Sequence, residues 1–332
     1  MNHGSPSFLK VEDLTVQYTS GGEIIHAVNG VSFSLERGKT LALVGETGAG
    51  KTTIARAILR ILPDRAAYIA GGKVELEGTD LLQLSEKEMQ KIRGRRISMV
   101  FQDPMTALNP IMRVGNQVAE VIKEHNAISR KEARERAMDI LELVGIQSDR
   151  FYNYPHEFSG GMKQRVVIAM ALACNPEVLL ADEPTTALDV TIQAQVIAMI
   201  RDLREKFNTA MILITHDLGV VANVADEVAV IYAGNILEYA PQKVLHDNPR
   251  HPYTLALFNA IPTLEAETER LENIAGFPPD PTAPPPGCCF APRCKYCTPE
   301  CTASVPPAVE LEPGHYCRCF HSDLTLKEVG HG

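Results

Sequence analysis

The chain has no run of 18 apolar residues. Its longest apolar stretches, such as 166–174, are far too short to span a bilayer. There is no excess of positive charge. The formal net charge over 332 residues is −9, which argues against a nucleic-acid partner held by bulk electrostatics. Residues 1–7 lack the basic and apolar regions of a secretory leader. Cysteine is nearly missing before position 288, where Cys174 stands alone; the other seven of eight fall between Cys288 and Cys319. The expectation is a cytosolic protein, in which clustered cysteines are not read as disulfides. The length allows one large core or two or three units.

What is present centres on residues 41–53. Residues 41–44 form a short apolar run that reads as a buried strand. Gly45, Gly50, Lys51 and Thr52 then match G-x-x-x-x-G-K-[ST], the phosphate-binding loop. A glycine-rich turn lets backbone N–H groups point at a phosphate, and the helix that follows adds its positive end. Lys51 supplies a mobile charge to the β- and γ-phosphates, and the Thr52 hydroxyl can ligate Mg²⁺. The competing reading, a glycine turn with a solvated lysine, does not explain the strand before and the helix after.

Upstream, residues 8–11, 14–18, 24–28 and 31–35 alternate in short β-like runs, with Gly21-Gly22 and Asn29-Gly30 as turns between them. They predict an antiparallel layer. Tyr18 is either an ordinary strand tyrosine or a stacking surface for a base. Residues 96–101 predict a strand that ends at Gln102, whose amide could reach Mg²⁺ or an attacking water. From about 105 to 158 the pattern turns helical: Ser129 and Glu132 form a capping box, and Ala133, Ala137, Ile140, Leu141 and Val144 share one face. Ser159-Gly160-Gly161 opens another helix, as a plain N-cap or as a second anion-binding end. Residues 178–182 predict a strand with Asp182 and Glu183 at its C-terminal end, where open α/β sheets place their chemistry. Asp182 can hold Mg²⁺ through water, and Glu183 can orient or deprotonate a water. Asp189 precedes a helix. A last strand over 211–215 ends at His216, which could hydrogen-bond a γ-phosphate or be structural.

The order of these parts resembles the ATP-binding-cassette (ABC) ATPases over about residues 8–240. The resemblance implies an α/β phosphate-loop nucleotide-binding domain with a RecA-like core, an antiparallel β subdomain and a helical insertion. It also implies that ATP is bound by Tyr18 on the adenine and by Gly45, Gly48, Ala49, Gly50, Lys51, Thr52 and Thr53. Mg²⁺ falls to Thr52, Gln102 and Asp182, and catalysis to Glu183, His216 and Gln102. Ser159, Gly160, Gly161 and Asp189 would face the nucleotide of a second cassette arranged head to tail. Met162 departs from the glutamine common in the signature segment and points to a subfamily. Residues 102–110, the Ser-Gly-Gly-Met segment and His251-Pro252-Tyr253-Thr254 look like the oligopeptide/dipeptide (and nickel) importer ATPases, most like the D-type of a dipeptide permease. That implies a related F-type ATPase partner, two transmembrane permease subunits gripped by the helical insertion, and, indirectly, an extracytoplasmic peptide-binding protein. The place implied is the cytoplasmic face of the membrane.

Residues 241–286 read as a linker, proline-rich at its end, and 287–332 as a cysteine-rich segment. Clustered cysteines of this kind suit a [4Fe–4S] cluster or tetrahedral Zn²⁺, or stay reduced with no metal. Cys294 and Cys297 have knuckle spacing that the rest do not repeat. The peptide-importer tail resembles this segment with its four recurrent cysteines on Cys288, Cys294, Cys301 and Cys319, leaving Cys289, Cys297 and Cys317 over. Two further readings stand beside an importer ATPase. One is a soluble ABC ATPase of repair, translation or Fe–S assembly. The other makes the tail a redox sensor of transport.

Overall fold

The computed structural model describes residues 7–186, 188–260 and 274–323, which divide into two compact units. Residues 1–34, 41–82 and 215–332 form the first, and 35–40 with 83–214 form the second.

The first unit opens with β1 (Leu9–Ser20) and β2 (Glu23–Leu35), followed by β3 (Thr40–Val44), β4 (Ala67–Leu76) and β5 (Thr79–Asp80). An antiparallel sheet runs β2-β1-β4-β5. The four short runs expected at the N-terminus are therefore two long strands. Asn29-Gly30 does not turn the chain. Gly30 has φ 66° and stays within β2. Likewise Asp13, with φ 46°, lies where the β1–β4 register shifts between Glu12 and Thr15. A bulge and a turn share the same positive-φ signature, so the sequence alone does not separate them. β3 is buried along its whole length and delivers the chain to the phosphate loop. The helix Lys51–Ile58 follows and buries Ile54, Ala55, Ala57 and Ile58. Each large aliphatic buried there contributes about 1.5–3 kcal/mol.

The second unit holds β6 (Ile97–Val100), β7 (Val178–Asp182) and β8 (Ala210–Thr215), in parallel order β8-β7-β6. All three are fully buried runs, as strands covered on both faces should be. The stretch between about 105 and 158 carries the helices Val114–His125 and Arg130–Leu143 and two 3₁₀ turns. Only half of the expected capping box forms: Ser129 Oγ accepts from the Glu132 amide at 3.1 Å, while the Glu132 carboxylate pairs with Arg136 at 2.8 Å. The helices Gly160–Leu172 and Val190–Phe207 complete this unit.

The chain then returns to the first unit with β9 (Glu227–Tyr232), β10 (Asn235–Pro241), β11 (Val309–Glu312) and β12 (His315–Cys317). Here the order is β11-β12-β10-β9-β3, with β3 and β9 parallel. The cysteine-rich tail therefore extends the sheet that carries the phosphate loop. The 241–286 stretch is not a bare linker: it forms the helices Gln242–Asp247 and Pro252–Asn259. A buried cluster anchors the tail. Glu238 Oε1 accepts from the Arg250 amide at 2.7 Å and lies 2.7 Å from His315 Nε2; its Oε2 accepts from the His251 amide at 2.8 Å. Among the described residues no helix is long and apolar enough to cross a membrane.

Candidate active site

The phosphate loop lies in the first unit. Gly50 has φ 100° and caps the helix that follows. A Cβ there would come within 2.4 Å of the Ala27 carbonyl oxygen, so only glycine fits. Lys51 is 5% exposed, and its ammonium donates to the carbonyls of Gly45 at 2.6 Å and Glu46 at 2.9 Å. The charge is thus held inside the loop it serves. Thr52 and Thr53 occupy the next two helical positions, half-buried. The Tyr18 hydroxyl lies 3.3 Å from Thr53 Oγ1, which sets the ring beside the start of this helix. Gly48 and Ala49 line a cavity of about 460 Å³ together with Tyr232, Asn235, Pro281 and Cys289.

Nothing in the sequence singles out Glu46, yet both its backbone and its carboxylate are held. Its amide donates to the Tyr253 hydroxyl at 3.0 Å, and its carboxylate accepts from Arg293 at 2.9 Å. Burial raises the Tyr253 phenol well above its usual range, so this acceptor stays neutral.

The second unit brings Gln102 and Glu183 together. Gln102 Nε2 donates to Glu183 Oε2 at 2.8 Å, and the Thr186 hydroxyl donates to the same oxygen at 2.8 Å. Glu183 has φ 45°, a region costly for a side chain with a Cβ. Its amide bonds the Ile214 carbonyl at 2.9 Å, and its own carbonyl accepts from the Thr186 amide at 3.1 Å. These bonds hold the strained turn that aims the carboxylate off the strand end. Asp182, the last residue of β7, is 1% exposed. Sequence reasoning gives Thr186 no role; a hydroxyl three residues after a strand-end acid is the signal that points to it.

Ser159 caps the helix Gly160–Leu172, its hydroxyl accepting from the Met162 amide at 3.3 Å. Ser159 and Gly160 are exposed. A Cβ on Gly161 would meet Ile192 Cγ2 at 2.7 Å, so the signature glycine also permits a close helix approach. Asp189 is exposed and caps the helix Val190–Phe207 through the Ile192 amide at 3.0 Å. His216 directly follows β8 and is exposed.

The tail cysteines Cys288, Cys294, Cys301 and Cys319 line one small cavity of about 10 Å³, walled by Phe290 and Pro306. That is room for about one water. Burial pushes Cys294 up to about 11 and Cys319 up to about 12, and raises Cys288 as well, so these three thiols are protonated at neutral pH. Among the described residues no group of three or more His, Cys, Asp or Glu side chains is arranged to hold a metal ion. Cys297, which shares knuckle spacing with Cys294, is exposed, and its thiol donates to the Thr298 carbonyl at 3.7 Å.

Comparison with known proteins agrees with this anatomy. A family model described as "ABC transporter" matches residues 28–186. One described as "Oligopeptide/dipeptide transporter, C-terminal region" matches residues 237–301. The oligopeptide transport ATP-binding protein OppD of Bacillus subtilis is 51% identical, over 96% of this chain and 91% of its own. The dipeptide transport ATP-binding protein DppD of the same organism is 47% identical, over 95% of each. Among solved structures, the dimeric cassette MJ0796 in a post-hydrolysis state bound to ADP and phosphate is 28% identical. It superposes with a TM-score of 0.64 over 70% of this chain and 98% of its own. With a phosphate loop, a glutamate held by Gln102 and near-full-length relatives of this kind, the chain belongs to the ATP-binding proteins of the oligopeptide/dipeptide ABC transporter family.

Proposed function

We propose that this chain is the ATPase subunit that powers import of di- and oligopeptides through an ABC transporter. The observation that carries the chemistry is Glu183, held by Gln102 and Thr186 at the end of a buried strand. Lys51 leaves the loop carbonyls for the β- and γ-phosphates of ATP. Glu183 orients and deprotonates the water that attacks the γ-phosphorus in line, and His216 hydrogen-bonds the γ-phosphate. Tyr18 stacks on the adenine. Thr52, Asp182 and Gln102 supply the oxygen atoms that suit Mg²⁺, which neutralises charge on the β- and γ-phosphates when bound.

Two cassettes close head to tail on two nucleotides. Ser159 and the amides of Gly160 and Gly161 meet the γ-phosphate held by the partner, and Asp189 lies at the same seam. Closure needs the γ-phosphate and reverses on hydrolysis. The partners are an F-type ATPase and two permease subunits, so the chain sits peripherally on the cytoplasmic face of the membrane, with a peptide-binding protein acting from outside. Reconstitution into vesicles tests this: labelled dipeptide uptake that depends on ATP supports it. Uptake of nickel but not peptide, or failure to co-purify with permease subunits, overturns it.

Cys288, Cys294, Cys301 and Cys319 fit a [4Fe–4S] cluster by donor set: four thiols around one apolar-walled cavity. A cluster would supply redox chemistry or a staple for the tail. Anaerobic purification with iron, sulfide and zinc analysis decides. About four irons per chain supports the cluster, whereas one zinc, or no metal, rejects it.

A further inference from the structure

We propose that Arg293, contributed by the cysteine-rich tail, is a positioning residue for the phosphate loop, neutralising Glu46 so that the loop accepts a nucleotide. Arg293 ends the 3₁₀ turn Ala291–Arg293, and its side chain is 5% exposed. Nη1 donates to Glu46 Oε2 at 2.9 Å and to the Tyr232 hydroxyl at 3.2 Å. Nε and Nη2 donate to the carbonyls of Ala275 and Ile274, each at 3.0 Å. The guanidinium also lies 5.7 Å from the centre of the Tyr232 ring. Four of its five donors are thus directed, and the fork is held rigidly.

Glu46 is an acidic residue in an anion-binding loop. It places a carboxylate one position after Gly45, where a nucleotide brings several negative charges. The same residue shapes the loop. Its carbonyl accepts from Lys51 at 2.9 Å and from the Ala49 amide at 3.2 Å, and its amide is tied to Tyr253. Arg293 grips the remaining handle. Tyr232, Tyr253 and Phe290 back this contact, with ring centres 4.7 to 5.3 Å apart. The proline-rich stretch just before the tail also bonds β2, where the His26 amide donates to the Pro281 carbonyl at 2.8 Å. The arginine therefore does two things. It cancels a charge that opposes the phosphates, and it fixes the residue whose carbonyl parks Lys51.

The inference rests on the nucleotide-binding reading of the loop, which ADP binding by the unaltered chain tests separately. The experiment is ADP titration by calorimetry on the full chain, with ATPase kinetics on the assembled transporter. Arg293→Gln is expected to weaken ADP binding about tenfold and raise KM for ATP in parallel, with kcat within about twofold. Removing the stranded charge should restore function: Glu46→Gln combined with Arg293→Gln is expected within about threefold of the unaltered chain. A merely structural arginine gives the opposite sign, with the double variant as weak as Arg293→Gln or weaker. Arg293→Lys keeps the charge but not the fork, so it is expected to lose less than about tenfold, which keeps the test open should Arg293→Gln fail to fold. An unchanged ADP affinity in Arg293→Gln, a double variant that is not rescued, or an Arg293→Lys tenfold weaker each overturns the proposal.

Discussion

The amide of Gln102 donates to Glu183 Oε2 at 2.8 Å, across 81 residues of sequence. The bond holds the carboxylate proposed above to act on water. A hydrogen bond to a charged group contributes about 1.5–3 kcal/mol, and one lost from a catalytic carboxylate shows in the rate. Gln102→Ala should therefore lower kcat about tenfold with KM for ATP nearly unchanged. Steady-state kinetics at saturating ATP measures this, and a normal kcat would show that Thr186 alone suffices.

Gly161 stands where a Cβ would press on Ile192 Cγ2 at 2.7 Å. Gly161→Ala should cost about 1–3 kcal/mol through overpacking. Combining it with Ile192→Ala should recover most of that loss, read as the urea midpoint of each variant. A double variant that is simply additive would place the cost elsewhere.

His251 is fully buried, and burial pulls its imidazole down to about 4, with Glu238 opposing. The unfolded chain titrates this group near 6.5. Between those values the unfolded state binds the extra proton, so stability is complete above about pH 6.5 and falls toward pH 4, by at most about 3 kcal/mol. Replacing His251 by Asn should flatten that part of the curve. Urea midpoints at pH 7.5 and 5 for both chains check the sign; equal falls in both would remove His251 as the cause.

The parts of the site legible in the sequence are those whose chemistry is local. Gly50, Lys51 and Thr52 carry their meaning in their spacing, and the buried runs at 178–182 and 211–215 announce strands with acids and His216 at their ends. Contacts made across the chain leave no local trace. Arg293 meets Glu46 over 247 residues, and the Glu183 amide, on a backbone with φ 45°, bonds the Ile214 carbonyl 31 residues on. Asn29-Gly30 misleads for a physical reason: positive φ serves a twisted strand as well as a turn. The tail reads as an appendage in the sequence, although β12 pairs with β10 and so joins the sheet of the phosphate loop.

The most direct test of the central claim is steady-state ATP hydrolysis by the assembled transporter carrying Glu183→Gln. Losing the base should reduce turnover by about 100-fold or more while ATP remains bound after gel filtration. Hydrolysis at the rate of the unaltered chain would contradict the role of Glu183 as the base, and with it the whole mechanism of water attack built on the Gln102–Glu183 pair.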